Sequence, residues 1–372
     1  MKITDIKTKL LHVPVESALI NQTKSVAYME VITVEIFTDE GLSGCGYTYT
    51  DGFGGHAIKV LIDTDIRSLL LQKDPLQVRE LSRFLLWELR QAGFAGITVL
   101  AAAGIDLALW DLYSQAVGQP IVSILGQYRD RIPMYASVAG WIGLPMDEMV
   151  ARAQELVKGK EMLGVKIQVG RASLDVDAKR LQMLREALGP EAKLFIDANT
   201  ILDIPTAKRM ADRLKEYDIF WLEEPIPLRD TTGHGLLSEQ ISIPLATGEN
   251  FFGIRDCDEY IRNRLVSYMQ ADVIRVGGIT EWMRIASYCD AQGMKISPHF
   301  VMEVTTHVQC CVPNSLFVEY IPWFQKLFAE PIRTEHGCAF PRTTPGLGLR
   351  FTEEAIARYA IDQCGGKHER SK

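Results

Sequence analysis

An eight-stranded parallel β/α barrel, roofed by a smaller N-terminal α+β unit, is what this sequence predicts, and three observations carry that expectation. Three apolar runs, Phe195-Ile-Asp197-Ala-Asn199, Trp221-Leu-Glu223-Glu224-Pro225 and Ala246-Thr-Gly-Glu249-Asn250, each stop on a carboxylate. The steps 223 − 197 and 249 − 223 are both 26 residues, one strand-plus-helix unit, so a parallel barrel would gather the three acids at one rim. After Gly126 the whole pattern alternates strand with helix, giving eight units in about two hundred residues, more regular repeats than a doubly wound sheet needs.

The elements follow in chain order. Residues 2–13 and 26–37 alternate like strands, and Asp39-Glu40-Gly41 turns into a third over 42–49, an antiparallel meander. From His56 to about Leu125 the period becomes helical, with Leu81, Phe84, Leu85 and Leu89 on one stripe and an Ala-rich segment over 99–117. Strands before helices make residues 1–125 an α+β capping domain. Residues 126–330 form the barrel, with strands at 132–138, 164–170, 193–199, 219–225, 244–250, 268–276, 295–300 and 315–320. Amphipathic segments separate them, such as Val176–Leu188, Ala207–Tyr217 and a helix led by Pro145. Residues 331–372, rich in Pro and Gly around Pro341, Pro345, Gly346 and Gly348, are expected to pack back on the capping domain and end in a polar stretch from Gly365.

Bulk composition narrows the function. At 372 residues the chain is long enough for two cores. A net charge of −7 without a basic run argues against nucleic acid as a partner. The N-terminus alternates and has no apolar leader core, and nowhere do about eighteen apolar residues run together, so neither export nor a membrane span is expected. The seven cysteines include no CxxC pair. Cys310 and Cys311 fall in a helix and Cys45 among glycines in a turn, a set that reads as free thiols in a cytoplasmic protein.

The strand ends hold the chemistry. Asp197, Glu223 and Glu249 offer only carboxylate oxygens, a donor set that suits Mg²⁺ better than Zn²⁺. The second barrel strand ends Lys166-Ile-Gln168, and alternation turns both side chains inward. Asp272 and Arg275 close the sixth strand, His299 the seventh and Glu319 the eighth. Asp272 and His299 sit on neighbouring strands, where the carboxylate would fix the imidazole tautomer. Singly, His299 reads as a hydrogen-bonded core residue and Lys166 as a neutraliser of an acid. Jointly, ionisable side chains on six of eight strands would be a costly way to finish a core. Glu303 and His307, four apart on a helix, read as structural, and His234 as a loop residue.

These residues resemble the enolase superfamily, and within it the mandelate racemase subgroup. The resemblance spans nearly the whole chain, including the Ala-Gly-Ile-Asp-Leu-Ala-Leu-Trp-Asp helix at 103–111 and the Pro-Gly-Leu-Gly turn at 345–348. It implies that Asp197, Glu223 and Glu249 bind one Mg²⁺ per subunit, that Asn199 faces the substrate, and that His299 with Asp272 is the base dyad. It further implies that a protonated Glu319 hydrogen-bonds the substrate carboxylate, that Lys166 helps hold that carboxylate, that Arg275 supports the dyad, and that the subunits form a symmetric homo-oligomer. The sequence departs from the subgroup at Gln168, where a second Lys commonly serves as the base on the opposite face, because an amide cannot take that proton.

The implied reaction removes the proton α to a carboxylate, with the enediolate stabilised by Mg²⁺, Lys166 and Glu319. Racemisation needs a base on each face, whereas elimination manages with one, so Gln168 tilts the expectation to a dehydratase acting on an acid sugar, an aldonate or aldarate, and releasing a 2-keto-3-deoxy acid. A racemase, epimerase or lactone cycloisomerase, and a binding or regulatory relative without turnover, are the alternatives. By the same resemblance residues 15–26 and 47–56 close over the barrel mouth, and their Asn21, Thr23, Lys24, Tyr47, Tyr49, Asp51 and His56 would bind several hydroxyls. Trp141 would line the pocket.

Overall fold

The structure, a computed structural model, describes residues 1–15 and 27–361. Asn21, Thr23 and Lys24, and the polar end from Gly365, therefore lie outside the described residues.

Strands β1 (Ile3–Pro14), β2 (Tyr28–Thr38) and β3 (Ser43–Thr50) form an antiparallel sheet in that order. The sequence of β3, Gly44-Cys45-Gly46-Tyr47-Thr48-Tyr49, gives its two faces different work. The even-numbered glycines lie on the helix Ile97–Val117, where an added Cβ would meet the Ala108 carbonyl oxygen at 2.2 Å and that of Gly104 at 2.4 Å. Only glycine allows that approach. The odd-numbered face carries Tyr47 and Tyr49 towards the barrel, and Cys45, expected in a turn, sits in the strand.

The helix Ile97–Val117 is long and apolar enough to cross a membrane, yet 83% of its most apolar window is buried inside the protein, as in a core helix. Its two buried acids tie separate parts of the chain to it. Asp106 accepts the Thr280 N–H at 3.0 Å, while Asp111 accepts those of Cys45 at 2.8 Å and Leu347 at 2.6 Å. The six cysteines within the described residues are unpaired.

The barrel strands are β4 (Ile132–Ala136), β5 (Gly164–Gln168), β6 (Lys193–Asp197), β7 (Ile219–Glu223), β8 (Leu245–Thr247), β9 (Tyr268–Met269), β10 (Lys295–Ile296) and β11 (Val318–Tyr320). Consecutive strands pair in parallel from β4 to β10, and β11 returns to pair with β4. A parallel bridge from Ile296 to Ser315 joins β10 to the segment leading into β11 and closes the ring. Register places Gln168 beside Asp197 and Asp197 beside Glu223. After β11 come β12 (Arg333–Glu335) and β13 (Cys338–Phe340), the latter antiparallel to β4. The last helix among the described residues, Glu353–Tyr359, is followed by Ile361, whose N–H reaches the Leu10 carbonyl on β1 at 3.0 Å.

All eight barrel strands are shorter than the apolar runs suggest, β8 to β11 most of all, and after β9 the local reason is plain. There Asp272 Oδ1 accepts the N–H groups of Ile274 at 2.7 Å and Arg275 at 3.0 Å, which turns the backbone out of the ladder. His234 is likewise not in a loop: it lies in the helix Thr231–Gln240, fully buried, with Nδ1 between the Asp230 carbonyl and the Tyr260 hydroxyl. Inside the ring, Tyr135, Phe195, Trp221 and Phe317 make an aromatic plug distinct from the core between strands and helices. Phe195 and Trp221 stand two residues before Asp197 and Glu223, so the alternation that buries the rings also lifts the acids just above them.

Candidate active site

Asp197 ends β6, Glu223 ends β7, and Glu249 lies just beyond β8. One carboxylate oxygen from each lies within 4.8 Å of the others. Burial and the charge of Glu223 push Asp197 well above the ordinary carboxylate range; burial also raises Glu223, against the pull of Lys166. Such crowding of buried acids is unfavourable without a cation, and the all-oxygen donors fit Mg²⁺. Neighbouring groups aim the donors. Glu223 Oε2 accepts from Gln270 at 2.8 Å and Trp221 at 3.1 Å, and Asp197 accepts the Asn199 amide at 2.9 Å.

Lys166, buried on β5, connects the triad to the opposite acid. Its Nζ lies 2.7 Å from Glu223 Oε1, 2.7 Å from Glu319 Oε1 and 3.8 Å from Asp197. Burial would lower the ammonium, yet the surrounding acids hold it well above its usual range. Burial raises Glu319, but Lys166 and His299 outweigh it and hold the carboxyl at about 2. Glu319 also accepts from the Ser137 hydroxyl at 2.5 Å and the Phe300 N–H at 2.9 Å. The expectation of a protonated Glu319 is therefore not met in the protein alone: with donors on both oxygens, the carboxylate is ionised.

His299 and Asp272, joined by a parallel bridge beyond β9 and β10, form the expected pair. Nδ1 meets Asp272 Oδ2 at 2.7 Å, and Nε2 lies 3.5 Å from Glu249. Asp272 is fully buried; burial alone would raise it, but its hydrogen bond and charge interaction with His299 lead the effects that draw it below the usual range. An ionised Asp272 accepts the Nδ1 proton and leaves Nε2 to exchange one. Burial pushes the imidazole down, but Glu249, Asp272 and Glu319 raise it to about 9. A divalent cation held by Glu249 would offset the first of those attractions and favour the neutral imidazole.

Gln168 lines the same cavity from β5. Its carbonyl accepts the Ile142 N–H at 3.1 Å and its amide donates to Asn199 at 3.2 Å, so both ends are engaged and neither carries charge. The guanidinium of Arg275 turns to Asn250, by hydrogen bond, and to Asp51 at 3.7 Å; only its backbone N–H reaches Asp272. Five of the ten non-glycine residues with positive φ among those described border this site: Asn199, Thr200, Glu224, Phe300 and Val301. Strain of that kind persists where the surroundings over-determine the backbone.

Two of the expected lid residues are displaced, and one of them, His56, lies on the helix Gly55–Leu61 and is not among the residues that line the cavity. Tyr47 does not line the cavity: it is fully buried, its ring lies among Phe324, Phe328 and Phe351, and its hydroxyl is taken by Glu303. The residue two further on the same strand face, Tyr49, is the one at the cavity wall, with Asp51 beyond it. Trp141 does line the cavity and stacks on Trp323 at 5.6 Å. Ser137, Trp221 and Gln270 also serve the site, though none of them ends an apolar run on a charge. Strand alternation would have found all three, since each stands on the inward face two residues from another inward side chain: Tyr135, Glu223 and Asp272.

The chain is similar to known proteins along most of its length. Residues 148–355 match the family described as Enolase C-terminal domain-like, and residues 3–126 match the Mandelate racemase / muconate lactonizing enzyme, N-terminal domain. An L-talarate/galactarate dehydratase from Salmonella typhimurium is 32% identical over 349 residues, 93% of this chain and 87% of that protein. A 3,6-anhydro-alpha-L-galactonate cycloisomerase from Streptomyces coelicolor is 30% identical, over 96% of this chain and 99% of its own. The crystal structure of an L-talarate dehydratase from a Polaromonas species, complexed with Mg and L-glucarate, superposes with a TM-score of 0.89 at 30% identity, covering 97% of each chain.

Proposed function

The chain belongs to the mandelate racemase / muconate lactonizing enzyme family of the enolase superfamily, and on that footing we propose that it is a Mg²⁺-dependent dehydratase converting an aldonate or aldarate to its 2-keto-3-deoxy acid. Bound by Asp197, Glu223 and Glu249, Mg²⁺ would supply Lewis-acid neutralisation of a substrate carboxylate. The other steps belong to the chain. Lys166 places a fixed positive charge against the developing enediolate, and Glu319, ionised in the protein alone, takes up a proton from solvent as the substrate carboxylate arrives and then donates a hydrogen bond to it, with Ser137 alongside. His299 Nε2 takes the proton from C2 while Asp272 balances the imidazolium. The C3–O bond then breaks, the imidazolium returns its proton to the departing hydroxyl, and water and an enol leave; the enol tautomerises to the keto acid.

The observation that carries this reading is the unequal pair of cavity walls. His299 is held as a base on one side, and Gln168, an engaged amide, stands on β5. Lys166 does not substitute for the missing base, because its ammonium is pinned by Glu223 and Glu319. The full-length likeness to a cycloisomerase favours a second reading on the same scaffold, intramolecular addition or opening of a lactone. Incubating the Mg²⁺-loaded protein with a stereochemically complete panel of aldonates, aldarates and their lactones separates the two. The dehydratase reading expects a 2-keto-3-deoxy acid from at least one acid sugar. Lactone isomerisation without keto-acid formation would establish the second reading. A cytoplasmic, homo-oligomeric enzyme is part of the proposal; the unpaired cysteines support a reducing compartment.

A further inference from the structure

Strand β3 presents two tyrosines on one face, and each gives its hydroxyl to a buried acid of the barrel. Tyr47 donates to Glu303, and Tyr49 donates to Asp272 Oδ2 at 2.6 Å. The second bond ends on the same oxygen that His299 Nδ1 meets at 2.7 Å. With Ile274 and Arg275 N–H on Oδ1, Asp272 has four donors converging on it, one of them supplied by the capping sheet. A phenol has a single proton to donate, and that of Tyr49 is spent on Asp272, away from any substrate hydroxyl. The ring adds a second constraint: it meets Phe300, the residue after His299, edge-on at 5.1 Å, and Phe300 holds a positive φ of 49°.

We infer that Tyr49 is a positioning residue for His299, fixing the dyad through Asp272 and through Phe300 so that Nε2 faces the reacting carbon. The inference rests on His299 being the base in the proposed reaction. Its sequence logic lies in β3, where Gly44 and Gly46 let the strand sit directly on the helix Ile97–Val117 and so set where the Tyr49 hydroxyl arrives. The base is then assembled from two parts of the chain, the barrel supplying Asp272 and His299 and the capping sheet supplying the hydroxyl.

Tyr49→Phe tests this with the ring retained. In the Mg²⁺-loaded enzyme the substitution is expected to lower kcat by about tenfold, the worth of one hydrogen bond to a charged group, with KM changed by less than about twofold. Mg²⁺ affinity, read by calorimetry, and melting temperature should stay close to those of the parent. In ¹⁵N-histidine-labelled protein the parent should show a strongly downfield Nδ1 proton assigned to His299 by its loss in His299→Asn, and Tyr49→Phe should move it. An unmoved proton, or a raised KM with kcat intact, would overturn the inference, the latter making Tyr49 a substrate contact. If no acid sugar is turned over by the parent, the proposed reaction fails by itself, and the Nδ1 proton still decides whether Tyr49 positions His299.

Discussion

Lys166 and Glu319 form a buried ion pair, Nζ to Oε1 at 2.7 Å, and the same ammonium reaches Glu223 Oε1 at 2.7 Å. One side chain thus couples the metal-binding acids to the acid on the other side of the cavity. In the protein alone its positive charge balances acids that a bound Mg²⁺ would also balance.

Lys166→Met should therefore divide two properties. Removing a unit charge that sits against Glu223, an interaction on the order of 4 kcal/mol at an effective dielectric of 20, should tighten Mg²⁺ by at least about tenfold. Turnover should fall below detection, because the enediolate loses its fixed counter-charge. Calorimetric titration showing unchanged or weaker Mg²⁺ binding would contradict the coupling.

Asp197→Asn should weaken Mg²⁺ by at least about 100-fold, in line with breaking a buried charged contact, and should abolish turnover. The orienting bond from the Asn199 amide reaches Asp197 Oδ2, so Asn199→Ala should weaken the metal by a smaller factor, about tenfold. Equal losses in the two variants would mean that Asp197 is not a direct ligand.

Proton exchange in D₂O should be confined to one C2 configuration, the one facing His299, and His299→Asn should abolish it while leaving Mg²⁺ bound. The base must be neutral to act. Since the imidazole is raised to about 9 without metal, the rate should climb with pH as the imidazolium deprotonates, and saturating Mg²⁺ should set that midpoint below 9. Interconversion of C2 epimers as fast as elimination would require a second base and would favour an epimerase.

A stability prediction concerns His307, fully buried on the helix Met302–Gln309, with Nε2 accepting the Arg342 N–H at 3.2 Å. Burial, aided by Arg342, lowers it from 6.5 to about 4. The folded state therefore favours the neutral ring. The stability it contributes is complete above the unfolded value and is lost as pH falls from 6.5 towards 4. Between pH 7 and pH 5 the protein should lose about 2 kcal/mol from this group. Denaturant titrations of His307→Gln should show a flatter dependence over that interval; an equal slope would assign the loss to other groups.

The acids at 197, 223 and 249 were readable from the sequence because a parallel strand shows itself twice, as an apolar run and as the polar residue on which that run stops. Equal spacing then turns three such endings into one rim. Lys166, Asp272, His299 and Glu319 were legible for the same reason, and the family resemblance rests on them. The early end of β9 was not, since Asp272 diverts the backbone there through its own side-chain hydrogen bonds, which periodicity does not register.

Tyr47 and Tyr49 mark the boundary between the two kinds of information. Their alternation with Gly44 and Gly46 determined, from the sequence alone, that both tyrosines share one strand face. Which hydroxyl meets a structural acid and which meets the dyad depends on how far β3 slides over the barrel mouth, and that is set by contacts to residues more than two hundred positions away in the chain. The charge states are decided in the same way: the sequence supplies Glu319 and Lys166, but only their packing at 2.7 Å, with both side chains buried, fixes one as carboxylate and the other as ammonium, because electrostatic interactions gain their strength from burial and distance.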